Sequence, residues 1–564
     1  VKSNNKVQIH GGVASERLMR GNLLRKYSTA RIDIDIGAKE PLLRYASPNL
    51  HPPSFNLPEI FRMEAQPFRV IIIGGGPIGL TAAHALLSAG IDFVVLEARP
   101  TFTPEEGASL LAYASTQRVW HQLGLYGAME AKGCPVETRS SADHAGNVYR
   151  GGSPSATHRR LFGAAPWNFH RRELVEVLYE KLPADVRETK LCAEHKVCGV
   201  EVDEEGVTVR CEDGRVERGS MVLGVDGVHS KTRGLMRELM LASKEKEVGD
   251  DNLDGCLPPE RPYKAEYRCL WGTCPAPEAC TPSSNAESHG PERSIMLMTG
   301  NDGRSWFFLY EKLDGPRDES QKYTAADQEE MAARFSRIRL LPGLPFGDIW
   351  PTRTACGMAD QLEGVLPQIQ WHLPAAQGGR VVLAGDAVHR MTPNFGWGFN
   401  SGVNDVCALV SLLHAEVTGS SSPSSSPSTA QLDAVFARYA EARCVDDDVA
   451  DVVKISGAVT RQCAYPRDRG VIAAAVAWLL TRVVPLLVPD FEAKIARKLL
   501  GKVMRRSRVL EFLKENEEGS ARTDEKLFVG EMGWDFPMPT VAVATAEKDN
   551  EKEAALSSEG ELEP

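Results

Sequence analysis

The sequence predicts an α/β fold: a parallel, helix-flanked sheet interleaved with a β-rich layer and followed by a C-terminal helical segment. Three observations carry this. Residues 69–99, RVIIIGGGPIGLTAAHALLSAGIDFVVLEAR, read as strand, glycine turn, helix and strand in succession. Two later apolar runs, near 221–224 and 380–384, stop abruptly at Asp226-Gly227 and Gly385-Asp386. Between them lie YRCLWG (267–272), SIMLMTG (294–300) and SWFFLYEKL (305–313), rich in β-branched and aromatic residues and bounded by turn signals.

At 564 residues the chain exceeds what one core organises, so two folded domains with appendages are expected. The net charge of −11 sits largely at one end: residues 515–564 hold fourteen acids against four bases, and residues 1–62 hold ten bases against five acids. A chain this acidic, without a basic aromatic stripe, is not built for nucleic acid. Its twelve cysteines form no CxxC pair, and Cys256, Cys269, Cys274 and Cys280 match no zinc spacing. No metal site is expected, and the thiols read as free in a reducing, intracellular compartment.

Residues 1–66 are basic, dotted with Asn, Ser and Pro, and read as a disordered or targeting lead; Met63, just ahead of the first strand, makes a gene-model extension the plainer alternative. In the unit that follows, Val70–Ile73 run into Gly74-x-Gly76-x-x-Gly79. Gly74 permits the turn, Gly76 lets a pyrophosphate approach the backbone, and Gly79 lets helix and strand pack closely. Leu80, Ala83, Leu86 and Leu87 make the helix stripe, and the second strand ends at Glu97, spaced to accept ribose hydroxyls. This unit binds a dinucleotide but does not separate NAD from FAD. A helix over 168–182 starts near Arg171, and 243–292 reads as a long loop within the β-rich region. Residues 383–406, LAGDAVHRMTPNFGWGFNSGVNDV, put a carboxylate and close-set glycines where a strand stops and a helix starts, a junction that holds anions.

The Ser/Pro run at 419–429 is a linker. Beyond it, 470–489 is about one bilayer long but interrupted by Arg482 and Pro485. The next helix, 494–510, sets Ile495, Leu499 and Val503 on one face and bases on the others. A membrane surface or a single hydrophobic segment is expected at the cytosolic face, with a core helix and solvated basic helix in the cytosol as the alternative. Residues 515–564 read as an acidic disordered tail.

The ordered set GxGxxG, Asp226-Gly227, Gly385-Asp386 and Pro393-x-x-Gly396-x-Gly398-x-Asn400 resembles the class A flavoprotein monooxygenases, the p-hydroxybenzoate-hydroxylase-like family, over 68 to about 412. The Gly-Ala-Ser segment at 107–109, the Arg-x-x-x-x-Leu-Gly-Leu helix after it and VLEFL at 509–513 are similar to a fungal secondary-metabolite branch. Leu111 departs from it, standing where that branch usually has Gly.

The resemblance implies a Rossmann-like FAD-binding domain of the p-hydroxybenzoate hydroxylase type, with an interleaved β-sheet substrate domain and a C-terminal helical segment. The implied parts are 67–240 (with substrate-domain strands about 135–165) and 373–418 for FAD, 241–372 for substrate, and 430–514 for the helical region. It implies FAD at Gly74, Gly76, Gly79, Glu97, Ala108, Leu111, Arg171, Asp226, Asp386, Pro393, Gly396, Gly398 and Phe399. Glu97 would hold the adenosine ribose and Asp386 the ribityl chain. Asp226 would lie near the pyrophosphate and help NADPH or NADH dock; the residues alone allow an ordinary turn Asp there.

Arg233 and Tyr267 are candidate substrate-side catalytic groups by resemblance alone, a salt-bridged Arg and a strand Tyr being the other readings. His389 reads as a core histidine bonding a carbonyl and Trp397 as packing. The implied cycle reduces FAD with NAD(P)H, adds O2 to give a flavin C4a-hydroperoxide, and hydroxylates or epoxidises a small hydrophobic substrate, an aromatic polyketide or a prenylated or terpenoid intermediate. No obligate protein partner is evident. The competing expectations are a reductase or dehydrogenase of the same fold, a flavin halogenase (whose Trp-x-Trp-x-Ile-Pro signature is absent), and a GDI-like escort protein.

Overall fold

In a computed structural model the protein is described over residues 67–105, 108–244, 257–419, 426–467, parts of 470–488, 491–513 and 527–536. The expected lead at 1–66 lies outside the described residues. The parallel sheet has five strands in the order Val381–Leu383, Met221–Gly224, Arg69–Ile73, Asp92–Leu96, Leu191–Cys192. Its central strands are apolar runs because both faces of the sheet are buried. Val70, Ile71, Ile72, Phe93, Val94 and Val95 are all fully buried, each worth about 1.5–3 kcal/mol of transfer free energy. The helix Pro77–Ser88 packs Leu80 and Leu86 on this sheet, and the 22-residue helix Gly398–Gly419 lies beside it.

The second layer is a nine-stranded sheet. Along it run His389–Arg390, Ala355–Val365, Lys264–Pro275, Arg304–Arg317, Arg293–Thr299, Ser284–Pro291, Thr138–Asp143 and Val148–Gly152, with Ala464–Tyr465 paired to the far end of Ser284–Pro291. His389–Arg390 follows the Gly385-Asp386 turn directly and pairs with Gly364 and Val365, so the turn is tied to both sheets.

Four expectations change. The helix expected over 168–182 is preceded by a strand, Trp167–His170, paired with Ser109–Ala112, so the helix proper is Arg171–Glu180. The long loop expected over 243–292 contains two long strands, Lys264–Pro275 and Ser284–Pro291. The second was hidden because its alternation is polar against small, Asn285, Glu287 and His289 on one face and Ala286 and Ser288 on the other. The linker is shorter than expected: the long helix runs to Gly419, and Ser428 caps Thr429–Glu441 through a capping box with Gln431. Part of the expected acidic tail, 527–536, is packed. Phe528 is buried, and Arg118 lies 4.0 Å over the Trp534 ring while donating to the Phe536 carbonyl.

Only part of 470–489 falls among the described residues, where Val476, Trp478, Leu479 and Leu487 are exposed. No helix among the described residues is long and apolar enough to cross a membrane. The basic helix is Phe491–Arg505, and 507–510 beyond it is non-helical and buried.

Candidate functional site

All the residues expected around FAD except Gly79, which packs behind the turn, line one cleft of about 1900 Å³ between the two sheets. At one end the three glycines divide the work as their backbones require. Gly74 has φ +111°, and a Cβ there would meet the Val225 carbonyl at 2.7 Å. A Cβ on Gly79 would fall 1.9 Å from the Gly74 carbonyl oxygen, so the helix touches the strand only because Gly79 lacks a side chain. A Cβ on Gly76 would meet nothing within 4 Å: the space beside the helix start is open to the cleft. Gly76 is also the N-cap of Pro77–Ser88 and offers no side chain, so the first N–H groups remain for a ligand.

Glu97, at the end of the second strand, is set by two backbone donors. The Gly75 N–H donates to its Oε2 at 2.7 Å and the Arg99 N–H to its Oε1 at 2.9 Å. A carboxylate so fixed still has lone pairs for ribose hydroxyls. Arg171 and Ala108 line the same wall and are joined by the Arg171 N–H donating to the Ala108 carbonyl at 3.1 Å.

Asp226 fills a turn role with one oxygen and leaves the other open. Its Oδ2 accepts the Thr232 N–H (2.8 Å) and hydroxyl (2.9 Å), which is a turn role. Its Oδ1 is buried at the cleft with no partner. A buried orphan acceptor costs about 1–3 kcal/mol, which a ligand donor would recover.

At the middle of the cleft stands the Gly385-Asp386 turn. Gly385 has φ +64°, and its N–H donates to Asp405 Oδ2 at 2.7 Å. Asp386 pairs with Arg390 through Oδ2, and its Oδ1 lies 3.9 Å from where a Gly398 Cβ would be. The acid therefore faces the start of the long helix. Pro393, Gly396, Gly398 and Phe399 complete the turn at the cleft wall. Gly396 takes φ +64°, and a Cβ on it would sit 3.0 Å from Leu111, so Leu111 fills the space over that glycine. Trp397 is packing, its ring 5.0 Å from Tyr113 and 5.9 Å from Phe395.

The donor set fits FAD: an open glycine turn for the pyrophosphate, fixed acids for two polyol segments, an orphan acceptor at Asp226, and a helix start where a ring can rest.

Arg233 and Tyr267 are not at the cleft wall. The Arg233 guanidinium donates to the Ala387 (2.9 Å) and Val228 (3.0 Å) carbonyls, which ties the two Asp-bearing turns together. Tyr267 is buried, and its hydroxyl donates to the Ala464 carbonyl at 2.9 Å. His389 is a core histidine, but its partner is a carboxylate rather than a carbonyl: Nε2 donates to Asp405 Oδ2 at 2.7 Å.

Two groupings escaped sequence reasoning. The first is a buried charge network behind the turn. Asp405 accepts Gly385, His389 and the Arg443 Nε–H (2.6 Å), while Arg443 and Arg508 both donate to Asp447 (2.5 and 2.9 Å). Burial alone would raise the Asp405 pKa, but His389 and Arg443 override it and hold the carboxyl below its usual range. The bonds that close the network, Arg443 to Asp405 and Arg508 to Asp447, join residues 38 and 61 positions apart and leave no local motif.

The second lies on the large sheet, opposite the glycine turn. Glu287 is buried and accepts from Arg139 (2.7 Å), His289 Nε2 (3.0 Å) and Asn285 Nδ2 (3.1 Å), and His289 Nδ1 is 2.7 Å from the Tyr149 hydroxyl. Burial would raise the Glu287 pKa, yet the Arg139 and His289 charges hold it well below the carboxylate range. Burial opposes charge on His289, but the neighbouring Cys463 and Glu287 carry its pKa well above that of free imidazole. The polar–small alternation at 284–289 was the signal available. Apolar side chains of Trp271, Met296, Met298 and Phe308 finish this wall. Among the described residues no group of three or more His, Cys, Asp or Glu side chains could hold a metal ion.

The comparisons with known proteins agree with this geometry. The family described as "FAD binding domain" matches residues 68–248 and 371–428. The chain is 32% identical over 363 residues to the FAD-dependent monooxygenase cle3 of Aspergillus versicolor, covering 63% of this chain and 70% of that one. It is 31% identical over 401 residues to the FAD-dependent monooxygenase esdpE of Penicillium shearii, covering 71% and 79%. Among solved structures, Klebsiella pneumoniae HpxO complexed with FAD and uric acid superposes with a TM-score of 0.59 at 22% identity, over 78% of this chain and 97% of that one.

Proposed function

Since the chain belongs to the class A FAD-dependent monooxygenases, in their fungal secondary-metabolite branch, we propose that it uses NADPH or NADH and O2 to hydroxylate or epoxidise a hydrophobic secondary metabolite. The substrate class is an aromatic polyketide or a prenylated or terpenoid intermediate. The overall change consumes substrate, NAD(P)H, H⁺ and O2 and yields the oxygenated product, NAD(P)⁺ and water. One observation carries this reading. The cleft is continuous from the open glycine turn at Gly76, past the helix start at Gly398, to the apolar wall of Trp271, Met296, Met298 and Phe308. Bound there, FAD supplies the redox and oxygen-transfer chemistry.

The chain's own residues bind, orient and exclude water. The Pro77–Ser88 helix start would hold the pyrophosphate, while Glu97 and Asp386 would take the ribose and ribityl hydroxyls. The helix start at Gly398 and Phe399 would set a positive dipole end beside the ring and stabilise negative charge there. The apolar wall opposite keeps bulk water from the reacting carbon.

The C-terminal segment supports a further part of the reading, that this end of the molecule rests on an intracellular membrane surface facing the cytosol. Val476, Trp478, Leu479 and Leu487 are exposed. The basic helix Phe491–Arg505 turns Ile495, Ala496, Leu499 and Leu500 to the cleft, so a hydrophobic substrate could pass from lipid to site along one face. The eleven described cysteines are all free, in keeping with a reducing compartment. Co-sedimentation with anionic vesicles tests this; protein that stays in the supernatant sinks it.

The enzymatic reading is tested by NADPH oxidation in the presence of prenylated aromatic compounds. A monooxygenase consumes O2 and transfers an oxygen atom to the substrate. A reductase of the same fold would oxidise NADPH without oxygenating the substrate.

A further inference from the structure

The strand Ser284–Pro291 presents a row of polar side chains to the cleft that binding of FAD at the glycine turn leaves unused. Period-2 alternation puts Asn285, Glu287 and His289 on one face, and the register sets Arg139 directly across from Asn285. On the next strand, Arg150 lies in register with Ser141, which itself pairs with Glu287, so Arg150 shares this face. All of Asn285, Glu287, His289, Arg139 and Arg150 line the cleft.

Within this row Asn285 leaves a buried acceptor unsatisfied. Asn285 is 9% exposed, and its Nδ2 donates to Glu287 Oε1 at 3.1 Å. That bond fixes the amide orientation, and leaves Oδ1 buried with no partner. A carbonyl oxygen in that position accepts and cannot donate, so the missing partner is an O–H or N–H. Arg139 and His289 pair with the single carboxylate, Glu287, and Arg150 lies on the same face; three bases against one acid favour a hydroxyl acidic enough to carry partial negative charge on its oxygen. The neighbouring wall of Trp271, Met296 and Phe308 accepts a flat apolar body.

We propose that Asn285 is a specificity-determining anchor that accepts a hydrogen bond from a phenolic or enolic hydroxyl of the substrate, with the Arg139–Glu287–His289 cluster fixing the amide. The anchor orients the substrate's oxygenated ring against the large sheet and leaves its apolar part to face the Gly396–Gly398 turn. This deepens the monooxygenase reading and rests on it for the position of the reacting ring.

The test uses the FAD-loaded full chain and two probes, 3-farnesyl-2,4-dihydroxyacetophenone and its 2,4-dimethyl ether, with binding read from the perturbation of the flavin absorbance. Flavin content is measured first: a chain that takes up no FAD overturns the monooxygenase reading itself. Given FAD uptake, wild type should bind the dihydroxy probe about tenfold tighter than the ether, the effect of satisfying one buried acceptor. Asn285→Ala should bring that ratio to about one by weakening only the dihydroxy probe. Wild-type affinities within about twofold of each other would overturn the inference, as would an unchanged ratio in Asn285→Ala. Should that variant fail to fold, the wild-type ratio decides alone.

Discussion

Gly76 and Gly79 stand three residues apart in one motif, yet their substitution by Ala should fail in opposite ways. Gly76 has φ −73°, an ordinary backbone for any residue, and a Cβ on it meets nothing within 4 Å. Gly76→Ala should therefore leave the stability of the FAD-free chain within about 0.5 kcal/mol of wild type. A pyrophosphate hydrogen-bonded to the adjacent N–H groups at about 2.9 Å would crowd that methyl group, where 3.4 Å is ordinary contact. Such overpacking costs about 1–3 kcal/mol, so the FAD dissociation constant should rise about 5- to 150-fold. Gly79→Ala puts its methyl 1.9 Å from the Gly74 carbonyl oxygen, which is backbone and cannot swing aside. That variant should lose stability by about 1–3 kcal/mol or more with or without FAD. The assay pairs urea unfolding of the FAD-free chains with FAD titration by fluorescence quenching. A Gly76→Ala variant that binds FAD as wild type does would refute the placement of the pyrophosphate. So would one destabilised as much as Gly79→Ala before FAD is added.

Arg443→Met leaves Asp405 and Asp447 buried with one cation fewer, and should lower stability by about 3–5 kcal/mol in urea unfolding. Tyr267→Phe removes only the bond to the Ala464 carbonyl and should cost about 1 kcal/mol while flavin content per chain stays at the wild-type level. His289 has a folded-state pKa raised above its unfolded value of about 6.5. Its stabilisation is then fully present below that unfolded value and is lost as pH rises through the folded one. The stability difference between wild type and His289→Gln, measured by urea unfolding across pH, should shrink in that direction; a difference that grows with pH would contradict the His289–Glu287 pairing.

The dinucleotide end was legible because its chemistry is local. The Gly74–Glu97 unit spans two strands and a helix, so the turn, the close approach and the acid appear at fixed offsets. The Gly385-Asp386 and Gly396–Gly398 turns were legible for the same reason: one sits where an apolar strand stops and the other where a long helix starts. What stayed hidden was non-local. Asp405 is held by Arg443 and His389 from other elements, and nothing in its neighbourhood marks it as buried and charged. The row Asn285, Glu287, His289 alternates with Ala286 and Ser288, and a strand whose inward face is polar lacks the hydrophobic period that reveals strands. Arg233 and Tyr267 failed as substrate groups because a residue type tells nothing of where its polar atoms point. The expected membrane-facing stripe of Ile495, Leu499 and Val503 carries a similar lesson, since Ile495 and Leu499 line the cleft and Val503 is buried.

Incorporation of ¹⁸O from ¹⁸O2 tests the central claim most directly. With NADPH and a prenylated aromatic substrate, the FAD-loaded chain should give a product carrying one ¹⁸O atom, with the other oxygen in water. NADPH oxidation that yields only labelled hydrogen peroxide and leaves the substrate unlabelled would contradict it.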